Sequence, residues 1–143
     1  MAFDPKVALT EMAKGNPDAL AFMWNLLGWV HTLDDLVDND PPPPPERVLE
    51  SHLCLIHTLG SNKFFIENHD KLFPLLVAGN LAHLESERYR KSDDVVYRMA
   101  SQVLKSQYQD VFFYTAFLVG GFQHMIEMSR RFRDYHFDPV PPP

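Results

Sequence analysis

With Cys54 as its one cysteine in 143 residues, the chain cannot close an intrachain disulfide. No cross-link stands in for a core, and nothing points to an oxidising compartment. Basic charge is also scarce: 13 Lys and Arg against 19 Asp and Glu give a net charge of −6 with histidine neutral. That balance argues against nucleic acid as the main partner, because no positive field exists to gather backbone phosphates. Long apolar runs are missing too. The longest are 20–30, interrupted by Asn25, and 111–122. Both fall short of the ~20 residues that cross a bilayer, so no membrane insertion is expected. Met1-Ala2-Phe3-Asp4-Pro5 lacks the basic-then-apolar order of a secretion signal, and the expected location is the cytoplasm. Gly120-Gly121 is too little for a phosphate-cradling loop. No Ser/His/Asp or Cys/His nucleophile arrangement, alternating strand or internal repeat is legible.

What the chain does have is a core-forming composition. Hydrophobic residues make up 45% and charged residues 22%, with eleven Phe, five Tyr and two Trp to bury. The length fits one domain with one core, expected over residues 1–138. Proline sorts the helices. Asp4-Pro5 and Asn16-Pro17 each read as a capping residue followed by proline at the first helical position. They predict helices near 5–14 and 17–38. The run Pro41–Pro45 cannot be helix and reads as a stiff extended connector. Helical spacing resumes over 46–59, Asp70 reads as the cap of a helix to about Arg90, and Ser92-Asp93-Asp94 opens a long helix to about residue 134. A bend is expected at Gly120-Gly121. Pro139–Pro143 reads as a loose tail. The predicted class is all-α, a single-domain bundle of about five helices.

The segment 17–38 changes character along its length. Steps of three and four from Leu20 reach Trp24, Leu27, His31, Asp34 and Asp38, all on one side of a helix. The side begins apolar and ends acidic, with Asp35 at its edge. Phe22, Trp29 and Leu36 occupy the opposite side. A helix apolar nearly all round is central in a bundle or lies at a subunit contact, so a homodimer is expected.

Asp34 and Asp38 are a like-charge i,i+4 pair, and Asp35 and Asp40 add to it. All lie at a helix C-terminus, where the macrodipole disfavours anions by about 0.3–1 kcal/mol each. A divalent cation would remove the repulsion, and Mg²⁺ favours hard carboxylate oxygens shared with substrate phosphates. The same residues also read as a solvated helix end, since Asp38-Asn39-Asp40-Pro41 is good turn chemistry.

The stretch His31-Thr32-Leu33-Asp34-Asp35-Leu36-Val37-Asp38-Asn39-Asp40 resembles the first aspartate-rich motif of trans-prenyl diphosphate synthases. The resemblance covers ten to twenty residues. It implies an isoprenoid-synthase-like helical fold in part, with Asp34, Asp35 and Asp38 as Mg²⁺ ligands that hold a substrate diphosphate. Leu20, Trp24 and Leu27 would line a pocket for the prenyl tail. The chain departs from that family in the proline run after the motif and in lacking a second such motif. Asp93-Asp94-Val95-Val96-Tyr97 has two acids where three are needed.

Further candidates are His31 as a partner of a carboxylate one turn on, and Glu87 and Asp110 as facing ligands. Asn80 and His83 share a helical side with Glu87. For each there is a plain alternative: a half-buried histidine, a solvated helix side, a surface acid. Arg130, Arg131 and Arg133 would meet a diphosphate or simply complement a last helical turn. Three functions are therefore open. One is an Mg²⁺-dependent protein acting on a prenyl-diphosphate-like substrate. The second is an all-α nucleotide pyrophosphohydrolase using Glu85 and Glu87. The third is a non-enzymatic helical module for dimerisation.

Overall fold

Side-chain oxygens fix where four of the helices begin. In the computed structural model, which describes residues 4–39 and 41–133, Asp4 accepts the Lys6 N–H at 3.0 Å and opens α1 (Pro5–Ala13). Asn16 accepts the Ala19 N–H at 3.0 Å and opens α2 (Pro17–Asp38). Each satisfies a backbone donor that the first helical turn leaves without an intrahelical partner. Between them Lys14 and Gly15 take positive φ, 48° and 82°, which reverses the chain in two residues.

Pro44 is extended (φ −63°, ψ 150°) and Pro45 is the first residue of α3 (Pro45–Ser61). The connector is thus one residue shorter than the five-proline run suggests, because proline's missing N–H is harmless at the first helical position. Asn62 caps α4 (Lys63–Arg90) by accepting the Phe65 N–H at 2.9 Å. The expected cap at Asp70 is corrected: Asp70 and Pro74 both lie inside α4.

Asp94 caps α5 (Val95–Lys105) through the Val96 N–H at 2.8 Å. After it comes α6 (Tyr108–Phe132), kinked at Gly121 with φ 85° and ψ −175°. The long helix expected from residue 93 therefore breaks twice, at Ser106-Gln107 as well as at the glycines. Six helices and no strand are present among the described residues. The protein is an all-α bundle. No helix of the described residues is long and apolar enough to cross a membrane. The expected tail, 139–143, lies outside the described residues.

The core joins α1, α2, α4 and α6. Phe22 is fully buried, with its ring stacked 5.5 Å from Phe65 and tilted 5.9 Å from Phe64. Met23, Leu26, Leu72, Leu76, Val111, Phe112 and Ala116 pack in the same cluster. Each large side chain contributes about 1.5–3 kcal/mol by leaving water. On the far side α1 lies on α6: Arg131 pairs with Glu11 at 2.6 Å, and His124 Nε2 donates to the Met12 carbonyl at 3.0 Å. A Cβ on Gly120 would stand 2.4 Å from the His124 ring, so only glycine leaves room for that ring.

Candidate functional site

Burial along α2 decides which side of it faces inward. Ala19, Phe22, Met23 and Leu26 are buried, whereas Trp24 is 50% exposed and His31 is exposed. Leu20 and Leu27 are half-buried against the edge of the core. The apolar-to-acidic stripe is thus rotated by about one residue, roughly 100°, from the inward side. Leu20, Trp24 and Leu27 do not form an inward wall. A helix apolar nearly all round carries no signal of its own for which side wins, and here Phe22 points in while the larger Trp24 does not.

The acidic end is occupied by basic neighbours. Asp34 Oδ1 lies 2.5 Å from Lys105 Nζ, at the close of α5. Asp35 Oδ2 accepts from Arg47 Nη2 at 2.6 Å, on the first turn of α3. Thr32, buried on the same stretch, shares a 2.7 Å hydrogen bond with Ser51 of α3. These contacts tie the end of α2 to two neighbouring helices. Each half-exposed ion pair contributes about 0–1 kcal/mol. They give the aspartates a role without a metal: cations at neighbouring helix ends cancel the charge that the helix dipole disfavours. A divalent ion at Asp34 and Asp35 would have to displace Lys105 and Arg47. The Asp38 side chain lies outside the described residues. Among the described residues no group of three or more His, Cys, Asp or Glu is placed to hold a metal ion.

The other candidates are dispersed. Glu87 is buried and takes a two-pronged hydrogen bond from Arg90, with Nη2 at 2.8 Å and Nε at 3.2 Å. Glu85 is gripped in the same way by Arg88, whose guanidinium the carboxylate holds above its ordinary pKa. In each pair both bonds fall on the carboxylate's Oε2. Asp110 pairs with Arg133 at 2.9 Å. The two stand at an open cleft of about 290 Å³ lined by Leu75, Phe113, Tyr114 and Met125. That cleft shares no residue with the acidic end of α2.

His83 is buried with its ring 6.0 Å from Tyr108. Tyr108 donates its hydroxyl to Asn80 Oδ1 at 2.6 Å, and burial pushes the phenol up to about 12. Gly79 makes this approach possible, since a Cβ there would meet the Tyr108 ring at 3.1 Å.

The feature that sequence reading missed is the polarity of α5 and of the second half of α4. In α5 the buried residues are Arg98, at 6% exposure, and Ser101. Its apolar residues Val95, Val96, Met99 and Val103 are exposed, Met99 to 54%. In α4 the buried set past Leu76 is Gly79, Ala82, His83, Ser86 and Glu87. Phe73, Val77, Leu81 and Leu84 are exposed. Both helices carry small or polar groups inward and apolar groups outward. Arg98 explains part of this. Its Nη1 donates to the carbonyls of Ser92 (3.0 Å) and Asp93 (2.8 Å), filling acceptors in the α4–α5 turn.

No family model matches the chain, and no curated protein or solved structure gives a significant match.

Proposed function

We propose that the chain is a non-catalytic interaction module whose contact surface is the apolar outward side of α4 and α5. The inverted burial of these two helices carries the reading. A helix that turns Val95, Val96, Met99 and Val103 to solvent while burying an arginine forfeits the usual gain from apolar burial. That arrangement is favourable once a partner covers the exposed side. The net charge of −6 favours a protein partner over an anionic lipid surface or nucleic acid. The ion pairs of Asp34 and Asp35 support the same reading, because they account for the acidic end of α2 as a structural joint.

The test combines two variants with two probes. Replacing Val96 and Met99 by Ser and Gln should leave helicity and Tm unchanged. It should weaken self-association or, if the protein is a monomer, reduce the native-state binding of a fluorescent apolar dye, since the apolar side of α4 remains. A monomer that binds no dye has no free apolar side, and the reading fails. Millimolar Mg²⁺ should leave Tm unchanged in the parent and in Asp34→Asn. A rise in the parent that Asp34→Asn removes would instead favour Mg²⁺ and a diphosphate at Asp34, Asp35 and Asp38, because a ligand specific for the folded state stabilises it.

A further inference from the structure

The outward side of α4 contains a row with symmetric spacing. Ile66, Phe73, Val77 and Leu84 are all about half or more exposed, Leu84 to 67%. Their intervals are seven, four and seven residues. Those intervals keep all four within a narrow sector of the helix surface, like one seam of a coiled coil. They also read the same in both directions. A two-fold contact between identical helices requires residue i to meet j while j meets i. Laid antiparallel on a second α4, Ile66 stands opposite Leu84 of the partner subunit and Phe73 opposite Val77 of the partner subunit. All four residues are matched at once, with Leu81 at the flank of the row.

Charge agrees. Within α4, Lys63, Lys71, Arg88 and Arg90 balance Glu67, Asp70, Glu85 and Glu87, so the helix is neutral in a chain of net charge −6. A second copy of α4 therefore approaches without net repulsion. The four residues and Leu81, each 49–67% exposed, make a continuous apolar strip of the kind that marks a contact surface.

We infer that the occupant of this surface is a second copy of the chain, docked through antiparallel α4 helices about a two-fold axis near residue 75. The inference rests on the interaction-module reading and specifies the partner for it. It also divides the outward surface: the α4 row serves the two-fold, and α5 extends the apolar area beside the turn at Ser92.

The full chain is examined by sedimentation velocity across ~1–100 µM, with circular dichroism and Tm recorded for every variant. Dimer is expected for the parent. Ile66→Lys and Leu84→Glu, each placed twice in a two-fold contact, should each weaken association at least tenfold at unchanged Tm. The double variant I66K/L84E places each lysine opposite a glutamate and should restore the dimer. A dimer that both single changes leave intact, or that the double variant fails to restore, overturns the antiparallel α4 contact. A monomer throughout that still binds apolar dye overturns self-association and leaves the interaction module standing. A monomer without dye binding overturns both.

Discussion

Tyr108 shows how one buried side chain writes a pH dependence into the fold. Its phenol titrates near 10 in an unfolded chain and is pushed up to about 12 by burial. The neutral form suits the folded site, so its contribution is complete below about pH 10. Above that value the unfolded chain releases the proton first, and stability declines as pH rises toward 12. Denaturant midpoints measured from pH 9 to 12 should fall for the parent and fall less for Tyr108→Phe. Equal slopes would show that the phenol is not held neutral. At neutral pH the same variant loses one hydrogen bond to Asn80, a cost of about 1 kcal/mol. Gly79→Ala belongs to the same contact. On an open helix the change stabilises by about 0.5–1 kcal/mol. Here the new methyl meets the Tyr108 ring at 3.1 Å, and that ring is held by its hydroxyl, so a lower Tm is expected. Gly28, with nothing within 4 Å of an added Cβ, serves as the control in which alanine raises Tm.

Among the helices, α5 is organised around Arg98 rather than around its valines. Removing the buried guanidinium breaks its two charge-assisted hydrogen bonds to the Ser92 and Asp93 carbonyls, each worth about 1.5–3 kcal/mol. Arg98→Ala should therefore lower stability by several kcal/mol, while Val103→Gln on the same helix leaves it unchanged. Chemical denaturation of the two variants gives the comparison, and a larger loss from Val103→Gln would reverse the account of α5. This helix also marks the limit of what the sequence discloses. The starts of α1 and α2 are legible because Asp4-Pro5 and Asn16-Pro17 pair a cap with a proline. The start of α4 is not. Asn62 caps it just as well, but Pro74 makes a start at Asp70 look better, and a proline tolerated inside a long helix leaves no local sign. Apolar periodicity locates a stripe without saying which way it faces. The convention that apolar means inward fails for α5, and on α2 it misplaces the inward side by one residue. The aspartate motif is legible as a string of residues. Its basic neighbours, Lys105 and Arg47, come from distant positions that no local pattern connects to it.

For the molecule as a whole, stability resides in the shared core of α1, α2, α4 and α6. Phe22 sits at its centre against two phenylalanines of α4, so Phe22→Ala should cost about 3–5 kcal/mol. Near-ultraviolet and far-ultraviolet dichroism should then melt together. Separate transitions would mean that the α4–α5 pair holds its shape apart from this core. The bundle is closed by the pairing of its first helix with its last, through Glu11 with Arg131 and Met12 with His124. On the ribosome this imposes an order of events. α1 has its permanent resting place on a helix made more than a hundred residues later, so it waits beside α2 until the stretch after Gly121 emerges. Closure of the fold is thus timed by the synthesis of α6, and Gly120, which admits the His124 ring, acts as the clasp between the two helices.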